Sequence, residues 1–165
     1  MPLMHYTLIL QLTCLLAAAN TAPLLAKLVF GNRLAQPVDG NIAFLDGRPL
    51  FGKSKTIRGI VAALVLSAIV GPIVALDWTT GLLVGVTAMV GDLFSSFVKR
   101  RLNLPPSSKA TGLDQLPESL IPLLACRQLV DLSAADIVVI AAVFFVGEIA
   151  FARLFYALKL REKPY

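Results

Sequence analysis

Three carboxylates stand out as groups able to do chemistry, because each interrupts a largely apolar run. Asp92 lies in Gly91-Asp92-Leu93-Phe94-Ser95-Ser96-Phe97-Val98-Lys99-Arg100-Arg101, and Asp114 and Glu118 lie in Gly112-Leu113-Asp114-Gln115-Leu116-Pro117-Glu118-Ser119. A carboxylate inside a membrane span costs roughly 2.5–3.5 kcal/mol on insertion scales, so Asp92 is expected to face the interior of a helix bundle. Ser96 at i+4 and Lys99 at i+7 fall on the same helix face, which would stack an anionic ligand, a hydroxyl and a cation along one line. Asp114 and Glu118, four apart, also share a face, with Pro117 between them as the residue able to disturb that turn. Hard oxygen ligands beside many cations suit Mg²⁺ holding a polyphosphate, since Mg²⁺ keeps waters and takes only one or two carboxylates. The plainer alternatives are an Asp92 hydrogen-bonded to a neighbouring helix and a capped, kinked helix end at Asp114.

A second constellation is the loop from Pro37-Val38-Asp39-Gly40 through Asp46-Gly47-Arg48-Pro49-Leu50-Phe51-Gly52-Lys53-Ser54-Lys55-Thr56-Ile57-Arg58-Gly59. Gly, Lys, Thr and Arg at the start of a helix make a plausible anion site, where backbone amides and the helix dipole meet the charge of the side chains. The Gly-x4-Gly-Lys spacing of a Walker A loop is absent. The competing reading is a basic flank that enforces topology and touches lipid headgroups. Glu148 sits midway along the last apolar run; Arg153, five residues on, is about 140° around the helix and a poor partner, so Glu148 needs a group on another helix or in a cavity.

The elements that would position these groups are membrane helices. The 165-residue chain is 57% hydrophobic and 15% charged, against about 25% charged residues in an ordinary soluble domain. The expected fold class is therefore an all-α polytopic membrane protein of about five transmembrane helices with two cytoplasmic loops. The segments run from about Leu3 to Phe30 (interrupted by Asn20, Thr21 and Pro23), Ile57 to Leu76, about Thr80 to Val98, Leu113 to about Leu129, and about Ala134 to Leu158. Asp77 and Trp78 form a tight turn with Trp at interface depth, and a second turn holds Asp131 and Asp136. Pro105-Pro106-Ser107-Ser108 forbids a helix through the second loop.

Assigning Met1 and the two turns to one side collects Lys27, Arg33, Arg48, Lys53, Lys55, Arg58, Lys99, Arg100, Arg101, Lys109, Arg153, Lys159, Arg161 and Lys163 on the other. That is 14 of the 15 basic residues, with Arg127 left over. The positive-inside rule makes that side cytoplasmic, so the N-terminus is expected outside and the C-terminus inside a cell membrane. The net charge of +5 is thus a topology signal and does not point to nucleic acid. Ala17-Ala18-Ala19 mimics a signal-cleavage site, but without a preceding Lys or Arg the segment reads as a retained span. Cys14 and Cys126 read as small buried hydrophobes, and the lone His5 as an interfacial or packed residue. No internal repeat suggests duplicated transporter halves. Small residues from Gly81 to Gly85 permit close helix contacts, and the oligomeric state stays open.

At these residues the chain resembles the CDP-archaeol synthase family, membrane cytidylyltransferases distantly similar to CDP-diacylglycerol synthases. The resemblance rests on Asp46-Gly47-Arg48 with Phe51-Gly52, on Lys55-Thr56-Ile57-Arg58-Gly59, on the stretch from Gly91 to Arg101, and on Leu113-Asp114-Gln115-Leu116. It covers nearly the whole chain as one domain, 1–165. The family pattern usually has a second Asp three residues after the first, which falls on Pro117; Glu118 follows it. The resemblance implies that a phosphorylated lipid, di-O-geranylgeranylglyceryl phosphate in the archaeal enzymes, attacks the α-phosphorus of CTP to give a CDP-lipid and pyrophosphate. Asp92 and Asp114, with Glu118, would hold Mg²⁺. Lys55, Arg58, Lys99 and Arg100 would neutralise phosphates, and Asp46, Arg48, Thr56, Ser96 and Gln115 would complete the nucleotide site. The rival readings are a CTP-dependent lipid-alcohol kinase and a non-enzymatic membrane carrier or subunit.

Overall fold

A computed structural model describes residues 5–105, 108 and 110–157. The expected segment ends at Leu3 and Leu158, Met1, Pro106, Ser107, and four of the assigned cations (Lys109, Lys159, Arg161 and Lys163) lie outside the described residues. The chain forms five helices: α1 (Tyr6–Phe30), α2 (Ile57–Ile73), α3 (Trp78–Arg101), α4 (Gln115–Cys126) and α5 (Ala134–Ala157). Among the described residues there is no sheet, only two isolated bridges in the first loop, Pro37 with Thr56 and Ala43 with Pro49.

Three helices, α1, α3 and the Ala134–Leu154 part of α5, are long and apolar enough to cross a membrane; α2 is apolar but shorter, at 17 residues. The fourth segment is shorter than expected. Helix α4 has 12 residues, about 18 Å at 1.5 Å per residue, against a hydrocarbon core of roughly 30 Å. It starts after Asp114 and ends at Cys126, so the expected run to Leu129 is corrected: Leu129 and Val130 both turn back to the Cys126 carbonyl.

Other boundaries move for local reasons. Asn20, Thr21 and Pro23 do not interrupt α1. The Asn20 amide bonds the Leu16 carbonyl one turn back, and Pro23 packs against Gly59 of α2, where a Cβ would already sit 3.2 Å from the Pro23 Cβ. Trp78 is the first residue of α3 and not part of a turn, and the helix continues past Val98 through the basic triplet. It stops in a Schellman arrangement: Leu104 N–H donates to the Lys99 carbonyl, Asn103 N–H to that of Arg100, and Asn103 takes the left-handed conformation with φ 60°. Asp136 lies inside the first turn of α5.

Helix α3 is central, packing on α1, α2 and α4, while α5 leans on α1 and α4. The α2–α3 contact is a glycine seam. A Cβ at Gly81 would lie 2.2 Å from the Ser67 carbonyl oxygen, and one at Gly85 3.0 Å from the Ser67 side chain. Such close backbone approach is how membrane helices gain packing without a hydrophobic driving force. Leu12, Leu15, Leu16, Val84, Leu123 and Ile140 form the fully buried core between α1, α3, α4 and α5.

Candidate active site

The first loop is folded onto the end of α3. Asp39 is its hub: one carboxylate oxygen accepts from Phe51 N–H (3.0 Å) and Gly52 N–H (2.9 Å), the other from Asn41 N–H (3.1 Å). Burial works to raise the pKa of Asp39, but these bonds outweigh it and hold the carboxyl below its ordinary 3.8. Arg101 then clamps the loop. It pairs with Asp46 at 2.5 Å, donates to the Pro49 carbonyl at 2.6 Å, and lies over both the Phe44 and Phe97 rings, 4.7 and 4.9 Å from their centroids, which meet each other edge to face. Arg48 returns the contact by donating to the Arg101 carbonyl at 2.6 Å, a cation at the negative end of a helix.

This fold delivers Lys55 into the bundle. Its ammonium meets Asp92 of α3 at 2.5 Å. Burial works against the charge on Lys55, but the nearby carboxylates of Asp92, Glu118 and Asp114 outweigh it and raise its basicity above the ordinary value. Lys55 is therefore a fixed cation amid three acids.

Glu118 comes from the opposite side, on the first turn of α4, and its carboxyl group hydrogen-bonds that of Asp92. Two sequence features permit this approach. Pro117 occupies the third helical position, where a missing N–H costs nothing because the first turn has no intrahelical acceptor for it. Gly91 lets the α4 backbone press on α3, since a Cβ there would lie 2.4 Å from the Pro117 carbonyl oxygen. Pro117 thus leaves the turn intact.

Lys99 lies on the Asp92 face, within electrostatic range of that carboxylate, but its ion-pair partner is another acid. Its ammonium turns to Asp114, 2.5 Å away; Asp114 also accepts from Ala110 N–H at 3.1 Å. Both Lys99 and Glu118 are buried, with 7% and 5% exposure. Arg100, buried beside them, donates one N–H to the Pro105 carbonyl at 2.9 Å. Its Nε and Nη1 have no hydrogen-bond partner among the described residues. Ser96 is buried in the same region, while Ser95 bonds the Asp92 carbonyl. Gln115, also buried, accepts from Gly112 N–H and so shapes the turn into α4.

The other expected nucleotide ligands are placed differently. The Thr56 hydroxyl caps α2 by accepting from Gly59 N–H at 3.3 Å, and Arg58 is turned outward to the Arg33 carbonyl. Asp46 and Arg48 hold the loop–helix junction. Among the described residues, no three carboxylate, imidazole or thiol groups surround one point as a metal cage. The expected trio of Asp92, Asp114 and Glu118 therefore resolves into a carboxyl pair, Asp92–Glu118, and a separate Lys99–Asp114 ion pair. Sequence reasoning missed Asp39, the Arg101 clamp and Gly91. Only Asp39 carried a local signal, an Asp-Gly-Asn turn whose carboxylate can reach backbone amides.

A buried carboxyl pair flanked by fixed cations thus lies in a bundle that includes three helices long and apolar enough to cross a membrane, the setting of an intramembrane enzyme. A solved structure described as an intramembrane enzyme for archaeal membrane lipids biosynthesis superposes with a TM-score of 0.73 and 30% identity, covering 85% of this chain and 89% of that one. Residues 4–165 match the CDP-archaeol synthase family, and the chain belongs to that family. The CDP-archaeol synthase of Sulfurisphaera tokodaii is 31% identical over 173 aligned positions, end to end in both chains. That of Pyrococcus furiosus is 42% identical over 89 residues, 48% of this chain and 53% of the relative. That of Saccharolobus solfataricus is 41% identical over 85 residues, 48% and 51%. These last two matches thus span about half the length of the relatives.

Proposed function

We propose that this multi-pass membrane protein transfers a cytidylyl group from CTP to a phosphorylated membrane lipid, releasing pyrophosphate and a CDP-activated lipid. The observation that carries the reading is the buried node of Lys55, Asp92 and Glu118 with Lys99–Asp114 beside it, in a chain of the CDP-archaeol synthase family.

In this reaction a lipid phosphate oxygen forms a bond to the α-phosphorus of CTP. The bond from that phosphorus to the α–β bridging oxygen breaks, and its electron pair leaves with pyrophosphate. The nucleophile is already an anion, so no strong general base is needed, which suits a site without histidine. Catalysis then rests on positioning and on cations aimed at the charge that develops. Lys55, kept charged by its acidic surroundings, and Lys99, held by Asp114, supply two such cations. Arg100 supplies a third, and phosphate oxygens would satisfy its Nε and Nη1, which have no partner among the described residues.

The Asp92–Glu118 pair fits Mg²⁺ on donor chemistry. Two buried carboxyl groups in hydrogen-bonding contact cannot both ionise without a proton or cation between them, and Mg²⁺ is bound through one or two carboxylates plus substrate phosphates. When bound there, the ion would offset negative charge on the triphosphate. Asp46, Arg48 and Arg101 hold the loop that carries Lys55, and Thr56 fixes the helix start behind it. We read the loops and the α3 terminus as the cytosolic face, with the N-terminus outside, because the described basic residues other than Arg127 lie toward that end and positive charge favours the cytoplasmic side.

Purified protein supplied with CTP, Mg²⁺ and a panel of lipid phosphates should release pyrophosphate and form a CDP-lipid. If no lipid phosphate supports turnover while a lipid alcohol with CTP yields CDP, the protein is a kinase and the proposal fails. Asp92→Asn and Asp114→Asn should abolish turnover with membrane insertion intact; retained turnover would remove those residues from the site.

A further inference from the structure

Between α1 and α5 lies a cavity of about 220 Å³, lined mainly by apolar side chains, with Asn20 and Glu148 among its few polar ones. It reaches the outer surface of the bundle, where Phe151 is half exposed. Glu148, in its lining, stands within electrostatic range of Glu118. The cavity thus opens on the outer side of the bundle and carries in its wall an acid that the carboxyl pair feels electrostatically.

Gly147, in the lining, adds an independent observation. The other glycines inside the helices are explained by contact, since a Cβ at Gly59, Gly71, Gly81, Gly85 or Gly91 would meet a neighbour at 3.2 Å or less. A Cβ at Gly147 would meet nothing within 4 Å among the described residues. A glycine in a helix interior costs roughly 1 kcal/mol relative to alanine, and no close helix approach accounts for this one. What its missing side chain does is leave the cavity clear.

Resting on the function proposed above, we infer that the α1–α5 cavity is where the hydrocarbon chain of the lipid-phosphate substrate lies. The substrate's phosphate must reach a buried polar node while its chains stay in hydrocarbon, so it has to enter the bundle sideways. Helix α5 is suited to border such an entry because it packs on α1 and α4 and stands off α2 and α3. The lining matches an amphiphile: Ala17, Leu24 and Phe151 meet the chain, and Asn20 faces the polar neck beside the phosphate. The Asn20 amide spends one N–H on the Leu16 carbonyl, and a primary amide has a second N–H and an oxygen to offer.

The test measures binding separately from turnover. Wild type and Gly147→Leu are titrated with a long-chain isoprenoid lipid phosphate, a short-chain phosphate with the same headgroup, and the long-chain lipid alcohol. The leucine fills the cavity, so affinity for the long-chain phosphate should fall about tenfold, with less than about twofold change for the short-chain one. Val65→Leu, on the exposed face of α2, should bind as wild type. In the unsubstituted protein, a lipid phosphate with a photoreactive group in its chain should label α1 and α5. Equal losses for both chain lengths, labelling of the exposed α2 face, or binding of the lipid alcohol as tightly as the phosphate would each overturn the inference. Labelling of α1 and α5 without any CDP-lipid formed from CTP would instead sustain the cavity and sink the proposed reaction.

Discussion

The two ends of this bundle bury polar groups for different purposes. Where α1 and α5 begin, Asp136 is completely buried yet fully engaged. It accepts from the Ser133 hydroxyl at 2.7 Å, Ser133 N–H at 3.1 Å and His5 N–H at 3.2 Å, with His5 Nδ1 at 3.1 Å. Nearby, the Gln11 amide donates to the Val74 carbonyl at 2.7 Å and ties α1 to the end of α2. These are neutral or singly charged groups satisfied by short bonds, some of them tying one helix to another. At the opposite end, a carboxyl group meets a carboxyl group, two ammonium groups are drawn into the bundle, and the Arg100 Nε and Nη1 find no partner among the described residues. Buried polar groups are ordinarily satisfied, because leaving one unpaired costs about 1–3 kcal/mol. The first end follows that rule and holds helices together. The second departs from it, as a site does when its missing partners belong to a ligand.

That contrast can be broken at several points. The largest effect is expected from Glu118→Ala, which removes one side of the carboxyl pair; turnover should fall by about 10²–10³-fold, and full activity would show that Glu118 does not stand in for the acid expected at the Pro117 position. Next comes Gly91→Ala. Its Cβ cannot coexist with the Pro117 carbonyl oxygen, so α4 must shift, with a predicted cost of about 1–3 kcal/mol in unfolding free energy and at least about a tenfold loss of turnover. Wild-type values for both would mean that the close α3–α4 approach does not set the site.

A smaller change is expected from Arg101→Lys, which keeps the charge but loses the planar fork over Phe44 and Phe97 and the reach to Asp46 and Pro49. Denaturation should show a loss of about 1 kcal/mol, and CTP affinity should weaken because the loop carrying Lys55 is less well held. His5→Ala should matter least for chemistry: about 0.5–1 kcal/mol of stability and unchanged turnover. A His5→Ala enzyme that folds normally but no longer turns over would erase the distinction between the two ends.

Much of the site could be read from sequence because the rule that exposes it is local. An acid in an apolar run is conspicuous, so Asp92, Asp114 and Glu118 stood out, as did Lys55 and Lys99 on the flanks. Their pairing could not be read. Helix-face logic put Lys99 on the Asp92 line, but at the end of α3 the long lysine chain turns to Asp114, and Lys55 arrives across 37 residues of sequence instead. Arg101 depends on Phe44 and Asp46, more than fifty residues away and brought close only by the folded loop. The fold was legible as apolar helices. Where boundaries slipped, at Asn20–Pro23, Trp78 and Arg101, the backbone found partners that composition does not advertise, and α4 was overestimated because apolar residues continue past the turn at Cys126.

The most direct test is calorimetric titration of CTP with and without Mg²⁺, comparing wild type, Asp92→Asn and His5→Ala. The account predicts that Mg²⁺ tightens CTP binding in wild type and His5→Ala alike, and that Asp92→Asn loses this dependence. Mg²⁺-independent binding in wild type, or unchanged Mg²⁺ dependence in Asp92→Asn, would contradict the assignment of the buried carboxyl pair to a nucleotide–metal site.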